Sequence, residues 1–396
     1  MMAIEPFEVA IAEHDLDLLR RRLGDVRWAD DFANADWRYG VERGWLEDMV
    51  RYWREDYDWR ATEAGINRLP QFRATIDGVP LHFVHVKGKR APGAPAPVPL
   101  LLLHGWPWTF MDMAALIGPL TDPAAHRGDP ADAFDLVIPS LPGHGFSVPL
   151  TQPGLDVPAH VRLFTRLMHE GLGYARFAVG GGDWGAAITN LLAHAHPDKV
   201  IGLFASIPFF PGLDLARITP SDYAPDEAWM LARQAESAAT TMSHFVVQST
   251  DPQTLAYALV DSPVGTAAWL WERRRAWSDC GGDLLSVHDR DHLCTLASIY
   301  WLTRTIGTSL RTYWEHARAG GLPFAPLHER LPRIEVPCGY AFGPREVMLV
   351  PRKLVAEATN LRRWTVLPRG GHFAFAEQPA LLTHEMREFF RPLRGH

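Results

Sequence analysis

The sequence predicts an α/β fold, with a mostly parallel central sheet, a helical extension before it and a helical insertion part-way through. Three observations carry this reading. Short continuous apolar runs end in glycine-rich loops at "PLLLLHGWP", "FDLVIPSLPGHG", "RFAVGGGDWG" and "VIGLFASIPFF", as strands buried on both faces do. Amphipathic stretches such as "PAHVRLFTRLMHEGLG" and "AAITNLLAHAHP" lie between them, where crossover helices belong. The rhythm stops after residue 214 and resumes at "VPCGYAFG" and "RRWTVLPRGGH", so a helical segment interrupts a single sheet.

Taken in order, residues 1–95 form the extension. Apolar residues recur at three and four in "EHDLDLLRRRLGDVRW" and in "GWLEDMVRYWREDYDWRATEAGINRL", which predicts helices. "FRATIDGVPLHFVHVKG" reads as a strand pair turning at Asp77-Gly78. "RAPGAPAPVP", at 90–99, reads as a linker or edge loop. Residues 96–214 supply the first part of the sheet, 215–320 the tryptophan-rich helical insertion, and 321–396 the closing strands.

The composition bounds the function. At 396 residues and 47% hydrophobic side chains the chain buries a large core. A net charge of -7, with no basic run longer than three, gives no footprint for nucleic acid. The opening "MMAIEPFEVAIAEHDLDLLRRRLG" has acids among its apolar residues, so neither a signal peptide nor a membrane span is expected, and a cytoplasmic location is. Cys280, Cys294 and Cys338 show no C-x-x-C pairing, which argues for reduced thiols and against a zinc site. His194 and His196, and the histidines of "VHDRDH" at 287–292, are expected at the surface with no metal bound. No cofactor is called for, the partner expected is a small-molecule substrate, and a homodimer stays open.

The chemical content centres on "RFAVGGGDWGAA" at 176–187. Gly180, Gly182 and Gly185 fit G-x-G-x-x-G, with Asp198 downstream as a ribose acid. Asp183 would then stand inside the phosphate loop, where it repels a pyrophosphate by several kcal/mol at an effective dielectric near 20. In the other reading Gly181 and Gly185 flank Asp183 at the spacing of a nucleophile elbow, a strained strand-to-helix turn that tolerates only small neighbours. A carboxylate at the elbow displaces at saturated carbon and forms an alkyl ester, so an epoxide or alkyl halide is its natural electrophile.

An elbow of this kind is followed in chain order by an acid and then a histidine. His372 lies in the loop after the last strand and Glu346 in the loop after the one before it, with Asp135 and Asp198 as fallback acids. "HGWP" at 104–107 can present the Trp106 backbone N–H beside that of Trp184, two donors for an oxyanion. His104 itself reads as a structural loop histidine. The arrangement is that of an α/β-hydrolase.

The segments "YDWRATEAGINRLPQF", "HGWP", "PSLPGHGFS", "GGDWGA", "PQTLAYALVDSPVGTAAWLWE", "TSLRTYWEH" and "RGGHFAFAEQP", in this order, resemble the epoxide hydrolases of the microsomal type over nearly the whole chain. The resemblance implies an N-terminal domain wrapping an α/β-hydrolase core and a helical cap over the site. It implies Asp183 as nucleophile, Glu346 as acid, His372 as water-activating base and Tyr313 as one of two cap tyrosines that hydrogen-bond the epoxide oxygen. The second tyrosine's position is His244, as a replacement donor or a substrate contact. The expected reaction opens a bulky or aromatic epoxide to a vicinal diol. The alternatives are a scaffold repurposed for ring closure or carbon–carbon bond formation in polycyclic natural-product biosynthesis, and a haloalkane dehalogenase.

Overall fold

A computed structural model describes residues 2–320 and 324–394. Among the described residues nine strands form one sheet in the order β1-β2-β3-β5-β4-β6-β7-β8-β9. They are β1 Ile4–Pro6, β2 Gln71–Ile76, β3 Val79–Val86, β4 Val98–Leu103, β5 Phe134–Pro139, β6 Phe177–Gly181, β7 Val200–Ala205, β8 Ile334–Phe342 and β9 Thr359–Val366. From β5 to β9 all neighbours are parallel, and β1 to β3 add an antiparallel edge. The protein has the α/β-hydrolase fold.

β4, β6 and, apart from Asp135, β5 are apolar because helices cover both faces, and nearly all of their residues are buried. The parallel register aligns Leu103 with Gly181, Gly181 with Ala205, and Ala205 with Tyr340. The carboxyl ends of the strands therefore open along one edge, where open α/β sheets place their ligands.

The β2–β3 hairpin turns at Asp77 and Gly78, both at positive φ, as an Asp-Gly turn demands. The expected linker ends earlier than the composition indicates, because Val98 and Pro99 already pair with β5. The helical run expected from Gly44 onward is two helices, Arg43–Glu55 and Trp59–Ile66. Asp58 breaks it by accepting the Ala61 N–H as an N-cap, which a short acidic side chain does better than it continues a helix.

Between β7 and β8 the described residues are helical or loop, with no strand. The segment leaves and returns through a neck where the Gly212 N–H donates to the Phe324 carbonyl at 2.7 Å. The expected change at residue 320 adjoins residues 321–323, which lie outside the described residues. The first helices pack on this segment in a second core in which Met49 and Trp53 meet Trp271 and Cys294. The Trp53 indole N–H also donates to Ser298 Oγ at 2.9 Å.

Candidate active site

Asp183 sits between β6 and the helix Trp184–Ala195 at φ 52°, ψ -127°, a conformation that costs a non-glycine residue of order 1–3 kcal/mol. The turn is tight enough to dictate its neighbours. A Cβ on Gly185 would meet the carbonyls of Leu103 and His104, and one on Gly181 the Leu103 carbonyl and the Gly185 backbone. The glycines thus leave room for the elbow and cradle no phosphate. The Asp183 carboxylate does not cap the helix it precedes. Its Oδ1 accepts the Trp106 N–H at 2.7 Å, and its Oδ2 faces His372 Nε2 at 3.2 Å.

His372 Nδ1 lies 2.6 Å from Glu346 Oε1, which also accepts the Val347 N–H at 2.7 Å. The two loops are knit by the Arg345–Gly371 bridge and by the Arg345 N–H on the Gly370 carbonyl at 3.1 Å. The His372 N–H is held by the Trp277 carbonyl at 2.9 Å. Burial by itself would lower the imidazole, but the Glu346 carboxylate and then Asp183 outweigh it and lift His372 from 6.5 to about 10. A carboxylate at each nitrogen favours the imidazolium form of the ring.

The triad opens on a cavity of about 270 Å³ lined by Trp184, Ile207, Phe209, Phe245, Trp277 and Met348 among others. Tyr313, on the helix Arg311–Arg318, stands over it with its ring against Trp184 at 4.9 Å and Trp106 at 5.9 Å. Burial lifts its phenol well above the ordinary value, and the Asp183 charge adds to this. His244 reaches the same cavity from the helix Ser243–Thr250. Burial, with Arg273 nearby, lowers its imidazole to about 3. Trp184 contributes both its ring and the first residue of the elbow helix.

The fallback acids lie elsewhere. Asp135 binds Lys87 and Tyr174 at 2.5 and 2.9 Å near the start of β5, and Asp198 pairs with Lys199 at 2.7 Å. His104 is buried as a loop anchor, accepting the Leu141 N–H on Nε2 at 3.1 Å, and burial lowers its imidazole to about 4. The surface placement of two other histidines is corrected. His194 is buried and clamps the Arg333 carbonyl and Leu327 N–H, and His288 is buried beside Ser278. No cluster of three potential metal ligands occurs among the described residues. Cys280, Cys294 and Cys338 are free and buried.

Residues 4–113 match the epoxide hydrolase N terminus family and residues 98–238 the alpha/beta hydrolase fold family. A putative epoxide hydrolase of Stigmatella aurantiaca (strain DW4/3-1) is 39% identical over 397 residues, covering 99% of this chain and 86% of that one. The chain belongs to the epoxide hydrolase family. Epoxide hydrolase 1 of Sus scrofa is 33% identical, over 98% of this chain and 88% of its own. The crystal structure of juvenile hormone epoxide hydrolase from the silkworm Bombyx mori matches with a TM-score of 0.88 at 27% identity, covering 99% of this chain and 95% of that one. As a member of the epoxide hydrolase family the protein is a hydrolase of ether bonds. No helix among the described residues is long and apolar enough to cross a membrane.

Around this epoxide hydrolase site stand residues the sequence does not announce. Arg233, buried on the helix Ala228–Thr240, donates to the carbonyls of Arg345 and Glu346 at 2.8 and 3.2 Å and so ties the acid loop to the helical segment. Arg274, fully buried, donates to Asp112 at 2.6 Å and to the Pro107 carbonyl at 3.1 Å, beside the Trp106 amide. Trp277 packs edge-on to His372 at 5.1 Å. For Arg274 and Trp277 the only signal is the arginine and tryptophan density of "LWERRRAWSDC", which names no partner, and Arg233 has none.

Proposed function

We propose that the protein opens a bulky or aromatic epoxide to a vicinal diol through an alkyl ester on Asp183. The observation that carries this is the carboxylate held at both oxygens, Oδ1 by the Trp106 amide and Oδ2 before the His372–Glu346 pair. Oδ2 attacks an epoxide carbon, the ring C–O bond breaks, and the Tyr313 O–H gives its proton to the departing oxygen. An aliphatic alkoxide is a stronger base than a phenolate, and the burial that lifts the Tyr313 phenol lifts an alcohol beside it as well, so the transfer runs downhill.

Esterification removes the Asp183 charge. Of the influences that raise His372, only Glu346 then opposes burial, so the imidazolium gives up a proton, which through water makes good the one Tyr313 has lost, and becomes a base. It takes a proton from water, which adds to the Asp183 Cγ. The charge that develops on Oδ1 meets the Trp106 N–H, with the neighbouring Trp184 N–H as the second donor of the oxyanion hole. Collapse breaks the ester C–O bond, the leaving diol oxygen takes the proton of the hydroxyl that water added to Cγ, and the carboxylate is restored.

The helices between residues 215 and 320 act as the cap in this reading, with residues 1–95 wrapping the core and 96–214 and 321–396 forming it. The nearly apolar, aromatic lining of the cavity supports a bulky or aromatic substrate. Tyr313 favours an epoxide over an alkyl halide, since a halide leaves as a stable anion and needs no proton. The intact His372–Glu346 pair favours hydrolysis over ring closure, which has no ester to cleave.

Mass spectrometry of the His372→Ala variant incubated with styrene oxide, its fold checked by circular dichroism, tests the reading. An adduct of one epoxide on the Asp183 peptide is expected. Absence of an adduct, together with absence of diol from the unmodified enzyme, would overturn the proposal.

A further inference from the structure

We infer that His244 is a hydrogen-bond acceptor that selects epoxides bearing a neighbouring hydroxyl or N–H, and is not a substitute for a phenolic donor. The inference rests on the hydrolase reading above and adds a substrate class to it.

His244 Nδ1 lies 3.0 Å from the Thr241 carbonyl. A carbonyl only accepts, so Nδ1 carries the ring hydrogen. The buried Arg273 fixes that carbonyl by donating to it as well, at 2.8 Å. A neutral imidazole has one N–H, which leaves Nε2 with a bare lone pair. Among the described residues no hydrogen bond reaches Nε2, and the residue lines the cavity.

The ring cannot turn to offer a different edge. It lies parallel to Trp106, with centroids 5.4 Å apart, and packs edge-on against Trp277 at 4.7 Å and Tyr313 at 5.5 Å. Aromatic burial and the guanidinium of Arg273 keep it neutral. The cavity thus carries an O–H donor on Tyr313 and, on the adjoining helix, a lone acceptor on His244. A 2,3-epoxy alcohol satisfies both, with its ring oxygen toward Tyr313 and its hydroxyl toward His244. A substrate without the donor leaves Nε2 desolvated and unpaired, a penalty that sites built around one hydrogen bond convert into discrimination.

The test compares 3-phenyl-2,3-epoxypropan-1-ol with its methyl ether. The unmodified enzyme should favour the alcohol in kcat/KM by about tenfold or more. His244→Phe should bring the ratio towards one, mainly through a higher KM for the alcohol, whereas His244→Gln, which keeps an acceptor near the same place, should retain part of the preference. Equal kcat/KM for the two compounds, or a preference untouched by His244→Phe, would overturn the acceptor role while leaving the hydrolase reading in place. No diol from either compound or from styrene oxide would overturn that reading, and this inference with it.

Discussion

Oδ2 of Asp183 lies 3.2 Å from Nε2 of His372, on the side of the carboxylate away from the Trp106 amide. In the proposed reaction, water activated by His372 is thereby directed at Cγ of the ester and not at the substrate carbon. A single turnover in H₂¹⁸O is expected to leave the diol unlabelled and to place the heavy oxygen in the Asp183 peptide. Label in the first-turnover diol would mean direct attack by water on the epoxide.

The same pair sets the protonation of the resting site. His372 is lifted from 6.5 to about 10, Asp183 being one of the raising charges. Asp183→Asn should lower it, seen by NMR as imidazole nitrogen signals that titrate at lower pH than in the unmodified protein. Because the folded value exceeds the unfolded one, the stability this ring contributes is complete below about pH 6.5 and is lost as pH rises through about 10. Denaturant midpoints measured across that window should therefore fall less in Asp183→Asn.

Glu346→Gln keeps the shape of the acid but removes the charge that steadies the imidazolium and its tautomer. A loss of about 10³–10⁴ in kcat is expected, by analogy with the acid of a serine triad. The ester should accumulate, because its hydrolysis depends on the base. Tyr313→Phe should act on the earlier step, slowing ester formation by about 10² and leaving its hydrolysis unchanged, as stopped-flow tryptophan fluorescence would resolve.

Arg274 and Asp112 form a fully buried pair under the oxyanion loop, with a hydrogen bond of 2.6 Å. Burial would raise the Asp112 carboxyl, yet Arg274 and His292 hold it well below the carboxylate range. Arg274→Leu removes the guanidinium and leaves that buried charge only His292 and the Thr109 N–H, and should cost about 3–5 kcal/mol, read from urea unfolding. The double variant with Asp112→Leu should recover much of the loss, since a buried pair contributes less than its broken half costs.

Asp183 was legible in the sequence because the constraint on an elbow is local. The backbone approaches that exclude side chains at Gly181 and Gly185 involve the turn itself and the strand beside it. His372 and Glu346 were legible from chain order, as loops following successive strands. The histidines expected at the surface were not, because burial depends on remote chain. The helix Trp184–Ala195 is buried on every side, and the groups that satisfy His194 come from Leu327 and Arg333. Arg233 and Arg274 escaped notice for the same reason: each acts on a carbonyl more than a hundred positions away, and periodicity carries no information at that range.

The hydrogen bond from Gly212 to Phe324 has a consequence for how such an enzyme diversifies. The chain that forms the helical segment leaves the sheet and rejoins it at this one place. Asp183 precedes the neck, and Glu346 and His372 follow it, while Thr241, Met242, His244, Phe245, Trp277 and Tyr313 lie within the loop it closes. Asp183, Glu346 and His372 on one side, and Tyr313 with most of the aromatic wall facing them on the other, are therefore written on separate lengths of chain that meet in space. A lineage can exchange the enclosed length, and with it the molecules it accepts, without rebuilding the strands that hold the nucleophile and its base.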